Sequence, residues 1–281
     1  MDFVLNLIKA VLYGIVQGIT EWLPISSTGH LILMNSFLPM NIYADAQANM
    51  DFWNIFKVVI QFGSILAVVL IYWKKLWPFG KKVSEKRRKS IIRLWVKIVI
   101  ACVPAGVAGI LLDDLIDSVL SSSFVIAFTL ILYGILFIWM ESTEHQYSVE
   151  TVRDITPKKA FAVGCFQMLA LIPGTSRSGA TILGSTLLGF NRTAAAEFSF
   201  FMAIPVMFGA SLLKIIKADI AFNLASVSIL LTGTLVSFVI SVIAIRSLLS
   251  YIRKHDFKVF GYYRIVLGII VAAFCFMGVI A

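Results

Sequence analysis

Charge is the property that this sequence has least of. Only 14% of its 281 residues are Asp, Glu, Lys or Arg, whereas 59% belong to the apolar set. A soluble domain carries about 25% charged and about 45–50% apolar residues. The composition therefore argues against an ordinary soluble enzyme and against a disordered or collagen-like chain. It predicts an integral membrane protein.

Cysteine and histidine are also rare, with three residues of each kind. Cys102, Cys165 and Cys275 lie far apart inside apolar runs, in no spacing typical of a metal site. We interpret them as small buried hydrophobic residues. A cysteine-based metal site is therefore not expected.

Acidic residues are outnumbered, and the formal net charge is +9. In a soluble protein this excess would suggest nucleic acid as a partner, but in a membrane protein basic residues more often mark cytoplasmic loops. The segment 74–93 carries nine basic residues and a single acid, Glu85. We expect it to be a cytoplasmic loop, and we expect no nucleic acid partner.

Long apolar segments predict the transmembrane helices. A helix needs about 20 apolar residues to cross the hydrocarbon core. Six segments meet this length: roughly 52–73, 94–112, 123–140, 198–213, 220–245 and 262–281. Two further apolar stretches, 3–37 and 160–191, are interrupted by Pro, Gly, Ser and Thr. Since irregular backbone is tolerated at membrane depth only inside protein or a watery cavity, we predict two re-entrant helix hairpins.

An internal repeat relates the two hairpins. A shift of 150 residues places Gln17 on Gln167 and Gly29 on Gly179. Each copy would hold one hairpin and three spans, and an odd number of crossings inverts the second copy. We therefore predict an all-α polytopic membrane protein with a single domain over 1–281. Its two inverted repeats cover about 1–140 and about 155–281, and the hairpin breaks meet near the midplane.

Ionisable residues lie within these hairpins. Such groups are costly at membrane depth and are candidates for a functional site, and here they are Glu21, His30 and Arg177. The breaks also supply six hydroxyl side chains: Ser26, Ser27, Thr28, Thr175, Ser176 and Ser178. Hydroxyls, a guanidinium and N–H groups at helix starts together predict an oxyanion site. The alternatives are an ion pair that only locks the hairpins and serines that only cap helices.

Two spacings bear on the chemistry. Ser27 and His30 are three residues apart, so on a helix the imidazole shares a face with the hydroxyl and has the spacing of a general base for it or for a water. Gln17 and Glu21 are four apart and have the spacing to orient a water or a divalent cation. We therefore expect that a cation, Mg²⁺ or Ca²⁺, can bind at Glu21, although a single carboxylate is a poor cage. No organic cofactor is expected.

Other charged residues lie near predicted membrane ends. Arg264, like Lys57 and Lys97, is expected to extend its charged group to the membrane surface. Glu197 begins a span beside the second hairpin, and pairing with Arg192 is one option for it.

Three segments resemble a known family. Residues 17–30, QGITEWLPISSTGH, closely resemble the first signature of the undecaprenyl-diphosphate phosphatases, the bacitracin-resistance family. Residues 173–179, PGTSRSG, resemble its second signature, and 262–268, YYRIVLG, resemble its last helix. The first motif of that family has Glu or Gln followed four residues later by Glu. Here Gln17 takes the first place, which leaves Glu21 as the indispensable carboxylate.

The resemblance implies a multi-pass phosphatase of the bacterial plasma membrane with its site facing outward. Such an enzyme converts undecaprenyl diphosphate into undecaprenyl phosphate and inorganic phosphate, recycles the lipid carrier for peptidoglycan and other wall polymers, and confers bacitracin resistance.

It also assigns roles to the residues of the two breaks. Arg177 would clamp the diphosphate, Ser27 would be the nucleophile, His30 its base or later acid, and Glu21 an orienting group. The expected substrate-binding residues are Gln17, Ser26, Thr28, Gly174, Thr175, Ser176 and Ser178.

Several alternatives stay open. Water could attack directly, with Ser27 only binding phosphate. A transporter or flippase for a phosphorylated polyprenyl lipid is the rival function, since broken helices and inverted repeats are typical of transporters. A two-histidine lipid phosphatase is disfavoured because only His30 lies in a plausible site. A homodimer is also left open.

Overall fold

The computed structural model describes residues 2–80, 83–120, 122–144, 146–216 and 222–280. Their regular structure is helical, which confirms the all-α prediction. The helices are α1 Asp2–Thr20, α2 Ser27–Phe37, α3 Ala46–Ile71, α4 Trp73–Leu76, α5 Glu85–Leu120, α6 Ser123–Ser142, α7 Pro157–Met168, α8 Arg177–Leu187, α9 Arg192–Ile216, α10 Leu224–Ile252 and α11 Lys258–Phe276.

Seven of these helices are long and apolar enough to cross a membrane, which makes this a multi-pass membrane protein: α1, α3, α5, α6, α9, α10 and α11. Six of them correspond to the six predicted spans: α5, α6 and α9 contain theirs, whereas the predicted spans of α3, α10 and α11 extend two to five residues beyond one end of the helix. The seventh is α1, which we expected to be the short first half of a hairpin. Its 19 residues extend about 28 Å at about 1.5 Å per residue, close to the hydrocarbon thickness.

The basic segment 74–93 is more helical than expected. The short helix α4 covers its start, and the first turns of α5 cover its end. Lys and Arg are good helix formers, and the ion pair of Glu85 with Lys89, one turn apart, supports the first turns of α5. Apolar length therefore underestimated α5, because a helix does not stop where its sequence becomes charged.

The two interrupted stretches are each a pair of helices joined by an irregular break. Residues 21–26 separate α1 from α2, and residues 169–176, with one turn of 3₁₀ helix, separate α7 from α8. Ser26 and Ser176 precede the second helices and have φ of 72° and 70°, the two positive values among the non-glycine residues described. Each side chain caps its helix by accepting a hydrogen bond, from Gly29 N and Gly179 N. The same backbone conformation and the same helix cap thus recur at two positions that are 150 residues apart, as the internal repeat predicts.

The packing of the helices follows the same relation. α6 packs on α11 and α3 on α9, while α1 packs on α10 as α7 packs on α5. When each helix is replaced by its equivalent in the other copy of the repeat, the same pairs of packed helices result, as a two-fold relation requires. The opposite orientation of the copies in the membrane stays a prediction.

The contact between α6 and α11 is unusually close. A Cβ atom at Gly134 would lie 2.7 Å from the backbone oxygen of Gly261, and a Cβ atom at Gly261 would lie 2.7 Å from that of Gly134. Only glycine lets two helix backbones approach so closely, as small residues do at membrane helix interfaces. This contact fixes α11, which carries Arg264 towards the breaks.

We predict that Gly134→Ala lowers the free energy of unfolding by about 1–3 kcal/mol, the usual cost of overpacking. Gly209→Ala is the matched control, because nothing lies within 4 Å of a Cβ atom there. It should be neutral or stabilising, since Ala favours a helix over Gly by about 1 kcal/mol. Thermal unfolding of both variants in detergent measures the difference, and equal melting temperatures would contradict the close packing.

Candidate functional site

The two breaks meet at an ion pair between Glu21 and Arg177, which are 156 residues apart in the chain. Glu21 follows the last residue of α1, and Arg177 is the first residue of α8. Arg177 Nη2 lies 3.2 Å from Glu21 Oε1, and the two side chains are 11% and 6% exposed. The fold therefore places an almost buried acid and base side by side, where both breaks interrupt the helices.

Both carboxylate oxygens of Glu21 accept hydrogen bonds. Ser27 Oγ donates to Oε2 over 2.8 Å, and Gln17 Nε2 donates to the same oxygen over 3.0 Å, while Oε1 faces Arg177. The hydroxyl of Ser27 is thus directed at a carboxylate, which has the geometry of a general base for that hydroxyl.

The position of His30 differs from the expectation that it contacts Ser27. Its Nδ1 lies 2.7 Å from the carbonyl oxygen of Ser26, and its Nε2 lies 2.7 Å from the hydroxyl of Tyr263. Because a carbonyl only accepts, Nδ1 carries the proton, and in the neutral ring Nε2 accepts from Tyr263. The ring also stacks on Tyr263, with centroids 5.6 Å apart. The three-residue spacing did not reveal these competing partners, and the catalytic role of His30 stays a prediction.

Three groups hold the guanidinium of Arg177. Besides Glu21, it donates from Nη1 to the carbonyl oxygen of Ser199 over 2.7 Å, and it lies 5.7 Å from the ring centroid of Trp22. Trp22 is fully buried and packs edge-on against Phe200 of α9. The Nε–H of Arg177 has no partner among the described residues. The guanidinium is thus fixed in place with one buried donor uncommitted.

The expectation that Arg264 reaches the membrane surface is wrong. It is fully buried, and its guanidinium donates to the carbonyl oxygens of Pro24, Gly174 and Thr175 over 3.0–3.1 Å. These oxygens belong to the two breaks, where the backbone has lost its helical partners. Because these buried carbonyl oxygens need hydrogen-bond donors, the guanidinium of Arg264 lies inside the bundle and not at its surface.

Two other charged residues also have partners that the sequence did not identify. Glu197 pairs with Lys75 instead of Arg192, and Arg192 pairs with Glu141. Both ion pairs join residues far apart in the sequence, and both lie outside the breaks.

A cavity of about 440 Å³ opens beside the Glu21–Arg177 pair. Of the predicted site residues, it is lined by Glu21, Ser27, Thr28, Gly174, Ser176 and Arg177. Gln61, Cys102 and Gln167 also line it, although the sequence did not identify them as site residues. The internal repeat matches Gln167 with Gln17, and this match is a sequence signal that could have identified Gln167 as a site residue. The prediction that the cysteines are buried is wrong, because Cys165 is exposed and Cys102 and Cys275 are partly exposed.

Four predicted substrate-binding residues lie behind this lining. Gln17 supports Glu21, Ser26 caps α2, and Ser178 Oγ lies 3.2 Å from the carbonyl oxygens of Glu21 and Leu23. Thr175 is 1% exposed, and its hydroxyl has no partner among the described residues. None of the four lines the cavity in this structure. For Gln17, Ser26 and Ser178, the reason is that their polar atoms form hydrogen bonds within and between the breaks.

The residues present do not fit a metal ion held by the protein alone. Within the described part of the chain, no three or more His, Cys, Asp or Glu side chains form a group that could hold a metal ion. The oxygens of Glu21 already accept from Arg177, Ser27 and Gln17, and a cation there would face the guanidinium. The donors around the cavity are instead suited to an anion.

The fold and the site together define a multi-pass membrane protein. Its cavity has donors suited to an anion and lies where the breaks of two helix pairs meet. The chain belongs to the family described as bacitracin resistance protein BacA, whose family model matches residues 10–270. It is 52% identical over 273 residues to a protein of Clostridioides difficile (strain 630) named undecaprenyl-diphosphatase 1, with 97% of both chains covered. It is 49% identical over 275 residues to an undecaprenyl-diphosphatase of Enterococcus faecalis, covering 96% of this chain and 97% of the relative.

We predict that Arg264→Gln lowers the free energy of unfolding by about 3 kcal/mol or more. The amide cannot reach all three carbonyl oxygens, and each buried acceptor left unpaired costs about 1–3 kcal/mol. Arg246→Gln makes the same chemical change at an exposed position of α10 and should have little effect. Thermal unfolding of the two variants decides it, and comparable stability would mean that Arg264 does not hold the breaks together.

Proposed function

We propose that this chain is an integral membrane phosphatase that hydrolyses undecaprenyl diphosphate to undecaprenyl phosphate and inorganic phosphate. It thereby recycles the lipid carrier for cell-wall polymers and confers bacitracin resistance. The observation that carries the proposal is the fixed, nearly buried guanidinium of Arg177 in a cavity that also contains the Ser27–Glu21 pair. The names of near full-length relatives at about half identity support it.

The cavity suits a lipid diphosphate. A polyprenyl tail remains in the bilayer, so the enzyme has to bind the head group inside a membrane-embedded fold. Phosphoryl transfer depends mainly on positioning and on stabilising charge at the transferring oxygens. In the proposal, Arg177 clamps the non-bridging oxygens, and Thr28, Gly174 and Ser176 complete the cradle.

We propose Ser27 as the nucleophile and Glu21 as its base. Ser27 Oγ forms a bond to the terminal phosphorus, its proton passes to Glu21 Oε2, and the bond from that phosphorus to the bridging oxygen breaks. Undecaprenyl phosphate leaves. A water then attacks the phosphorus of this phosphoserine, and the bond from that phosphorus to Ser27 Oγ breaks. Glu21 returns its proton to Oγ, and inorganic phosphate leaves with the oxygen and both protons of the water. Direct attack by water, with Ser27 only binding phosphate, is the alternative.

His30 has a supporting place in this proposal. Its imidazole binds the carbonyl oxygen of Ser26, the residue before the nucleophile, and it does not line the cavity. We therefore propose that His30 positions the first turn of α2. A divalent cation, Mg²⁺ or Ca²⁺, would enter with the diphosphate, since Mg²⁺ usually keeps waters and substrate phosphates as ligands.

The proposed orientation places the site towards the outside of the bacterial plasma membrane. The argument is the excess of basic residues in 74–93, which favours the cytoplasmic side for that segment. A homodimer is a separate prediction.

We predict that the detergent-purified protein releases phosphate from undecaprenyl diphosphate and that Arg177→Lys loses at least about 100-fold in kcat/KM, since Lys lacks the planar fork. Arg246→Lys, an exposed change, is the control and should retain full activity. Phosphate release in detergent separates a phosphatase from a flippase, because no transport across a membrane is then possible. A wild-type protein that binds the lipid without releasing phosphate would favour the transporter.

We also predict that Ser27→Ala and Glu21→Gln each lower kcat by about 10³-fold and that the double variant is little worse than either. A nucleophile and its base act as a unit, so their losses do not add. If Ser27 only binds phosphate, its loss should cost about 10–100-fold, as for one or two hydrogen bonds to a charged group, and the double loss should be multiplicative. Turnover of a soluble short-chain prenyl diphosphate by the four proteins distinguishes the two.

A further inference from the structure

Gln167 is a buried amide that the proposed reaction does not yet use. It lies in the last turns of α7, is 2% exposed and lines the same cavity as Ser176 and Arg177. Neither its Nε2 nor its Oε1 has a hydrogen-bond partner among the described residues. The side chain therefore holds two donors and two acceptor positions uncommitted at the cavity wall.

An unpaired buried amide is unusual in a folded protein. Most buried polar atoms have a partner, and an orphaned group carries a desolvation penalty. A leucine of similar size would avoid that penalty at this position. The amide is therefore better explained by a partner that occupies the cavity than by the stability of the protein alone.

The internal repeat explains why the amide is free. Gln17 occupies the equivalent position of the first copy, and its Nε2 donates to Glu21 four residues later. The residue four positions after Gln167 is Leu171, whose side chain offers no acceptor. The same helical position thus carries an amide bound to a carboxylate in one copy and an uncommitted amide in the other.

We propose that Gln167 is a substrate-binding residue, with Nε2 donating to an oxygen of the diphosphate. This inference rests on the proposed function, because only a diphosphate substrate supplies the oxygen that the amide of Gln167 would bind. A neutral amide adds a donor without further cationic charge, beside the guanidinium of Arg177. The partner is a diphosphate oxygen, whether it belongs to a lipid or to free pyrophosphate.

The test compares Gln167→Leu with the wild-type protein. The KM for a soluble short-chain prenyl diphosphate should rise about 10- to 100-fold, as for a lost hydrogen bond to a charged group, while kcat changes less. The melting temperature without substrate should stay the same or rise, because an unpaired buried group has been removed. Stabilisation by inorganic pyrophosphate should weaken in parallel, which gives a readout that does not need turnover.

Ser185→Ala is the matched control. Ser185 is fully buried on α8, its hydroxyl has no partner within the described part of the chain, and it does not line the cavity. Its loss should leave the melting temperature unchanged or raised and KM unchanged. A wild-type KM in Gln167→Leu, or a fall in its melting temperature together with kcat, would overturn the proposal. Absence of phosphate release from the wild-type protein would instead refute the proposed function.

Discussion

Backbone carbonyl groups at membrane depth need hydrogen-bond donors, and the rest of this site depends on how that need is met. Each break removes a stretch of helical hydrogen bonds from the interior of an apolar bundle. One guanidinium, that of Arg264, donates to carbonyl oxygens of both breaks. Because α11 carries Arg264 and packs against α6 through Gly134 and Gly261, this close helix contact positions the guanidinium that joins the two breaks.

Electrostatics at the cavity follow from the same arrangement. With the breaks joined, Glu21 and Arg177 neutralise each other while both are nearly buried. A buried charge without a partner would be strongly unfavourable. In the absence of substrate, each residue therefore offsets the free-energy cost of burying the charge of the other. In the proposed reaction, an entering diphosphate would offer Arg177 a second anionic partner and leave the carboxylate free to accept a proton from Ser27.

Sequence alone predicted the features that local patterns encode. Apolar length identified six spans, and the two polar interruptions identified the segments that meet. It did not predict that Arg264 is buried or that His30 contacts Tyr263, because these partners come from other helices and leave no periodic signal. Sequence alone also did not identify α1 as a spanning helix, since the segment before the first break was expected to be the short first half of a hairpin, whereas α1 has 19 residues.

The two copies of the repeat share a backbone and differ in chemistry. Ser26 and Ser176 adopt the same strained conformation and cap the same helix position. The residue that follows is Ser27 in one copy and Arg177 in the other. One break therefore supplies a hydroxyl beside a carboxylate, and the other supplies a cation. A symmetric pair of breaks would place two like groups together. In the proposed function, this divergence of side chains on a similar backbone turns a structural contact between the two breaks into a site with a nucleophile on one side and an anion-binding cation on the other.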